Sequence, residues 1–228
     1  MSNAVLESIQ VGLPHTHRGT YSDGGPAEWT TGFFKEPVTG PVLVHATQID
    51  GDGQADLENH GGPDKAVLAY SADHYPLWRA ELQEPSLPFG GFGENLTISG
   101  VTEDAVCLGD VWAIGPVRFE VSQPRQPCWK LGRRWNRPDL PKRVVDTGRS
   151  GWYLRVLAPG TIVSGLPVQL EQRPHPGWTI ARTSRVMYDK QPDLALLDEL
   201  AALPVLADSW RSHFAGRAVR RRIALGDR

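Results

Sequence analysis

The residue of this chain best placed to do chemistry is a cysteine set among rings and cations. It stands in Gln123-Pro-Arg-Gln-Pro-Cys-Trp-Lys-Leu131, with Arg125 three residues before it, Lys130, Arg133 and Arg134 after it, and no acid among them. Cationic surroundings favour thiolate over thiol, and the thiolate is the form that attacks electrophiles and binds metals. Cys128 is therefore the candidate catalytic residue and the candidate metal ligand. The other cysteine, Cys107, lies in the apolar run Ala105-Val-Cys-Leu-Gly109 with no cation nearby and reads as a small packing hydrophobe.

Three more stretches carry residues suited to a ligand. Asn59-His-Gly-Gly-Pro-Asp-Lys65 is a Gly-Gly-Pro turn. Its amides could face an anion that His60 and Lys65 also reach, or the turn could simply reverse the chain. Pro88-Phe-Gly-Gly-Phe-Gly-Glu-Asn95 has three glycines, which lets backbone approach a flat ligand, but it lacks G-x-G-x-x-G spacing and is no dinucleotide fingerprint. Arg149-Ser-Gly-Trp-Tyr-Leu-Arg155 alternates bulky and charged residues, which places Trp152, Arg155 or both at a barrel mouth.

Composition narrows the classes. With 228 residues, 40% of them hydrophobic, the chain can bury a core without staples. No apolar run approaches the ~18 residues of a membrane span, and the first twenty residues lack a basic start followed by an apolar core, so the expected location is cytoplasmic, with no membrane partner. Two cysteines are no secreted disulfide framework, and no cysteine/histidine spacing suits an iron–sulfur cluster or structural zinc. The net charge of −2 hides an asymmetry: Lys+Arg against Asp+Glu is 4 to 16 over residues 1–117 but 10 to 3 over residues 118–155. A basic block around Cys128 is either a solvated surface or an anion site.

The elements that must position these residues are mostly strands. Residues 1–40 are rich in turn formers and read as an irregular arm packed on a barrel. Val42–Ile49, Ala66–Tyr70, Asn95–Ser99, Val106–Ile114, Val117–Ser122, Trp152–Leu157 and Val168–Arg173 read as strands, and Ser71 can cap a helix running to Leu82. Short strands separated by Gly or Pro predict a mainly β protein with a closed or nearly closed β-barrel over 41–174. Beyond Pro176 the period shifts to 3.6, and Ile180–Tyr188, Pro192–Leu203 and Val205–Ala218 form a three-helix segment over 175–228, with Pro192 in a first turn. The arginine-rich tail has no stacking aromatics or DNA-binding motif, so nucleic acid is not an expected partner.

Taken in order, His60-Gly-Gly-Pro-Asp-Lys-Ala66, Phe92-Gly-Glu-Asn-Leu96, Leu108-Gly-Asp110, the cysteine segment and Gly151-Trp-Tyr-Leu-Arg-Val156 resemble the MOSC domain family, named for the C-terminal domain of molybdenum cofactor sulfurases. The helices after Trp178 are similar to the 3-alpha segment of its YiiM-type branch. The resemblance implies a barrel of the pyruvate-kinase-barrel type that binds the molybdenum cofactor in its molybdopterin form, with Cys128 as ligand to molybdenum or as sulfur carrier. A thiolate is the soft ligand such a metal takes, and basic residues suit the pterin phosphate. The candidate cofactor contacts are His60, Lys65, Asn95, Arg125, Lys130, Arg149, Trp152 and Arg155. Pyridoxal phosphate binding is a further association of the family.

The implied activity is reduction of small N-hydroxylated compounds such as 6-hydroxylaminopurine, with electrons from an external flavoprotein or ferredoxin-like donor. The alternatives are a non-catalytic carrier of sulfur or cofactor acting through Cys128, and a thiol hydrolase pairing Cys128 with a histidine such as His60.

Overall fold

The computed structural model describes residues 4–58 and 60–226. Residues 1–3, 59 and 227–228, which belong to the predicted arm, the Asn59–Lys65 turn and the helical tail, lie outside the described residues. The chain opens with β1 (Val5–Val11), the hairpin β2 (His15–Arg18) and β3 (Glu28–Thr31), and the short β4 (Glu36–Pro37). There follow β5 (Val42–Val44), β6 (Val67–Ser71), α1 (Tyr75–Leu82), β7 (Leu96–Ser99), β8 (Val111–Ile114) and β9 (Val117–Pro124). Helices α2 (Trp129–Arg134) and α3 (Leu140–Thr147) precede β10 (Trp152–Ala158), β11 (Gly160–Ile162) and β12 (Val168–Gln172), and α4 (Ile180–Tyr188), α5 (Leu194–Ala201) and α6 (Asp208–Leu225) come last.

Eight strands form one curled half-barrel sheet in the order β12-β8-β9-β10-β6-β7-β1-β4, with β6 and β7 parallel. Beyond the named ladder, Leu6 N donates to Leu166 O at 3.0 Å, Gly165 N to Leu6 O at 2.7 Å and Val168 N to Ala4 O at 2.9 Å, so the start of β1 also bonds the segment that leads into β12. That pairing occupies ladder groups an open edge would expose. The period-2 signal of β9 has its packing counterpart: Val117, Phe119 and Val121 are fully buried while Arg118 and Glu120 are half-buried. A second apolar cluster lies under α1, α2 and α3, where Tyr70, Tyr75, Trp78 and Phe92 pack with Leu131 and Val144.

The helical segment is continuous with the barrel core through Leu197, Leu200, Trp210 and Phe214. Burying each such side chain contributes about 1.5–3 kcal/mol, which helices this short need. Backbone bonds fasten it too: Ile180 N to Val106 O at 2.8 Å and Ala207 N to Ser122 O at 3.1 Å.

Several local readings need correction. Residues 1–40 are not wholly irregular, since β1 is an interior member of the main sheet; its apolar Leu6 and Ile9 are spaced by a register shift between Leu6 and Ser8 that blurs the alternation. The Val42–Ile49 strand stops at Val44, where His45 N turns back to Gln48 O at 2.8 Å. The Val106–Ile114 strand is interrupted by a turn at Gly109 (φ 75°) that Asp110 closes by accepting Cys107 N at 3.0 Å. Helices α2 and α3 were hidden by the prolines and glycine around them. Pro192 precedes α5 rather than entering it, because Asp193 is the cap, accepting Ala195 N at 2.8 Å. Finally, α6 starts at Asp208 and continues to Leu225, where Gly226 (φ 78°) ends it.

Candidate functional site

β9 delivers the cysteine segment to the rim of the barrel. Arg125 N still bonds Gly151 O at 3.0 Å, and the chain then enters α2 with Cys128 at its N-cap in an extended conformation (φ −103°, ψ 168°). The thiol is free and half-buried. It lines a cleft whose empty space, open solvent at the mouth included, is about 620 Å³.

Other segments complete the wall. The turn before β6 contributes His60, Gly61 and Lys65, with Gly61 and Gly62 both at φ near 80°, a conformation glycine adopts without strain. Lys35 and Gln54 enter from the loops after β3 and β5, Asn95 from the start of β7, and Tyr153 from β10.

The electrostatics of this wall are one-sided, since among the described residues no carboxylate belongs to it. The nearest acids are already engaged. Asp52 is fully buried and takes Lys35 Nζ, Gly12 N at 2.9 Å and Gln54 Nε2 at 3.2 Å. Asp56 Oδ2 lies 3.3 Å from His60 Nδ1 and 4.0 Å from Lys130 Nζ. Burial lowers the pKa of Lys35 despite its Asp52 partner, and lowers that of Lys65 despite Asp64 and Asp56. His60 is held below its ordinary value by burial first, then by Lys130 and Lys65. The Tyr153 phenol is pushed up to about 12 by burial, against the opposing pull of Arg125 and with a smaller push from Cys128.

Arg125 is the informative member. It is 3% exposed, its Nη2 donates to Phe92 O at 3.0 Å, and its Nη1 has no protein partner. Leaving a buried donor open costs roughly 1–3 kcal/mol, which an oxygen of a ligand in the cleft would offset. Among the described residues no group of three or more His, Cys, Asp or Glu could hold a metal. A single thiolate on a wall of cations suits a metal that arrives with further ligands of its own, as in a dithiolene cofactor. The donor set therefore fits that group.

The known proteins agree with the sequence motifs. The MOSC domain model matches residues 56–169, and the YiiM-like, 3-alpha helix domain model matches residues 178–217. The chain belongs to the MOSC domain family, in its YiiM-like branch. It is 40% identical over 207 residues to uncharacterized protein YflK of Bacillus subtilis (strain 168), covering 91% of each chain. A protein of Gibberella moniliformis named "Reductase" is 42% identical over 181 residues, which are 78% of this chain and 32% of that one. The crystal structure of YiiM from Geobacillus stearothermophilus superposes with a TM-score of 0.78 at 37% identity, covering 94% of this chain and 99% of that chain.

Within this MOSC barrel the candidates separate. Cys128, His60, Lys65, Asn95, Arg125 and Lys130 share the cleft. Arg149, Trp152 and Arg155 are not on its wall. Arg149 bonds Glu81 at 2.7 Å and lies 4.9 Å over the Trp78 ring. Trp152 points into the barrel, edge-on to Trp112 at 5.7 Å, because alternation along β10 sends Tyr153 to the cleft instead. Arg155 is a hub: it bonds Asp64 and Glu120 at 2.6 Å and Val205 O at 2.7 Å, tying the Lys65 turn to the helical segment. Asn95 reaches the wall, but its amide is spent on backbone, accepting Leu68 N at 3.1 Å and donating to Gln10 O at 3.2 Å.

Of the three glycines of Pro88–Asn95, Gly93 lines the cleft, and all three are closely packed. Gly90 N and Phe92 N wrap the buried Glu94 carboxylate at 2.7 and 3.1 Å, and a Cβ on Gly93 would meet Phe33 at 2.6 Å. Sequence reasoning missed Lys35, Gln54 and Tyr153. The alternation that buries Trp152 could have found Tyr153; no local signal marks Lys35.

Proposed function

We propose that the cleft holds the molybdenum cofactor and that the protein reduces small N-hydroxylated compounds, 6-hydroxylaminopurine among them, to the amine. The observation that carries this reading is Cys128 and the open Nη1 of buried Arg125 on one acid-free wall. The relative named "Reductase" supports the reductive direction. In the balanced reaction R–NHOH takes up two electrons and two protons, the N–O bond breaks, and R–NH2 and water leave. When bound, the cofactor supplies the two-electron redox centre.

The chain's own residues bind and orient. Cys128 gives the thiolate ligand, a soft donor suited to the metal. Arg125, with Lys65 and Lys130, receives the pterin phosphate, the guanidinium contributing a directed charge-assisted bond. Tyr153, pushed up to about 12, keeps its phenolic proton at neutral pH and stays a hydrogen-bond donor on the wall. Two cysteines cannot hold a four-cysteine cluster, so the electrons are assigned to a separate flavoprotein or ferredoxin-like donor.

Elemental and pterin analysis of gently purified protein tests the reading, with molybdenum and pterin near one per chain expected. Cys128→Ser should lose molybdenum and reduction while keeping its circular dichroism and Tm; retained turnover removes Cys128 from the mechanism. Bound cofactor without turnover under any donor, or a persulfide on Cys128, would instead favour a carrier.

A further inference from the structure

An arginine with one open nitrogen serves a ligand best when the rest of it is fixed, because a site is only as exact as the residues that support it. Arg125 is fixed at two points. Its backbone N donates to Gly151 O at 3.0 Å, and its Nη2 donates to Phe92 O at 3.0 Å. Each of these carbonyls belongs to a residue whose own backbone N is gripped by a buried glutamate. Gly151 N donates to Glu103 Oε1 at 2.7 Å, and Phe92 N donates to Glu94 Oε2 at 3.1 Å. Glu103 is 4% exposed, Glu94 is fully buried, and neither is on the cleft wall.

The two grips differ in breadth. Glu94 also accepts Gly90 N at 2.7 Å, Thr97 Oγ1 at 3.0 Å and Tyr75 Oη, so its carboxylate organises the whole Pro88–Asn95 loop. Glu103 is more selective: Oε1 takes Gly151 N, and Oε2 meets Nε2 of the buried His74 at 2.7 Å, which fixes the carboxylate's orientation. A buried carboxylate is tolerated only when it is partnered in this way. Gly151 itself, at φ 75°, has no room for a side chain, since a Cβ would stand 2.5 Å from Ala69 O and 2.9 Å from Tyr70 Cδ2. Its peptide is wedged against β6 and tied to Glu103. Both glutamates and Arg125 are also neighbours of one buried ring: the Tyr70 phenol is raised well above its ordinary value by burial first, then by Glu103 and Glu94, with Arg125 opposing.

We propose that Glu103 is the positioning residue of Arg125, and that through Gly151 it fixes the backbone from which Arg125 offers its open Nη1 to the phosphate of the bound cofactor. The effect on cofactor retention rests on the cofactor reading; the positioning itself does not.

The test follows the holoprotein after dilution and reads the rate at which molybdenum is lost. Glu103→Ala should release it about 10- to 100-fold faster, the range found when a residue that orients a metal-site group is removed. Glu103→Gln, whose amide oxygen still accepts Gly151 N and whose amide nitrogen donates to His74, should stay within a few-fold of the wild type. In the Arg125→Met background the alanine substitution should add nothing, because two residues acting through one contact are not additive. A merely structural role would not give that pattern. An equal loss in the methionine background, an equal loss in the alanine and glutamine variants, or no loss in the alanine variant overturns the proposal. Should Glu103→Ala not fold, Glu103→Asp, which keeps the charge but shortens the reach by one methylene, replaces it with the same expectations.

If the wild-type protein carries no molybdenum, the cofactor reading fails and the positioning is read directly by NMR of isotope-labelled protein. Held by Phe92 O, the Arg125 guanidinium should give separate Nη resonances in the wild type and the glutamine variant and an averaged one in the alanine variant, assigned by their absence from Arg125→Met. Any other pattern refutes the proposal.

Discussion

The cations on the two sides of Cys128 look alike in sequence and differ in kind once folded. Upstream, Arg125 is buried on the cleft wall with one nitrogen open. Downstream, Arg133 and Arg134 are held by partners within the fold. Arg133 is gripped by Asp23, Pro26 O and three aromatic rings, and so clamps the β2–β3 hairpin onto α2. Arg134 bonds Phe33 O at 3.0 Å and Gly90 O at 2.7 Å. Of the ten cations between 118 and 155, only Arg125 and Lys130 line the cleft. Several others neutralise acids of the first half of the chain, as in Arg143–Glu81, Arg149–Glu81 and Arg155–Asp64. The acidic and basic halves therefore complement one another, and an anion site is marked by unsatisfied valence rather than by charge density.

That contrast can be broken at several points. Arg125→Met should lower cofactor affinity about 10- to 150-fold, the value of a hydrogen bond to a charged group, read as molybdenum retained per chain. Its Tm should hold or rise, because an unpaired buried charge is removed. Arg133→Met should do the reverse, lowering Tm by about 5–10 °C while leaving molybdenum per folded chain unchanged. Arg149→Ala, which opens a partly exposed pair, should move Tm by about 3 °C or less and leave cofactor binding alone; a large loss of cofactor would restore it to the site.

The smallest effect concerns His60. Its folded pKa lies below the ordinary value near 6.5, so the unfolded chain binds more protons in the window below 6.5. The stability this contributes is present above pH 6.5 and is lost as pH falls through the folded value. His60→Gln should therefore flatten the fall of Tm between pH 7 and 5, against a background from His17 and His213, which burial also lowers. An unchanged slope would show that the His60 shift is not expressed in stability.

Much of the architecture could be read from the chain because it is written in local periods. The alternation of Val117, Phe119 and Val121 and the helical stripe of Trp210 and Phe214 each follow from which face is buried. Irregular positions were less legible: Pro124 and Gly151 hide the crossing into α2, and the bulge in β1 hides a strand of the main sheet. At the site, the type and neighbours of Cys128 singled it out, whereas Lys35 did not, since a buried lysine is tolerated only through a partner 17 residues away.

By itself, the sequence determined the thiol, the barrel class and the family to which the ordered motifs belong, because these depend on residue type and short-range spacing. Only the tertiary structure decided which cations face the cleft. Arg133 finds Asp23 at a separation of 110 residues and Arg155 finds Asp64 at 91, and no local pattern encodes which charges such long-range pairing will cancel and which it will leave open.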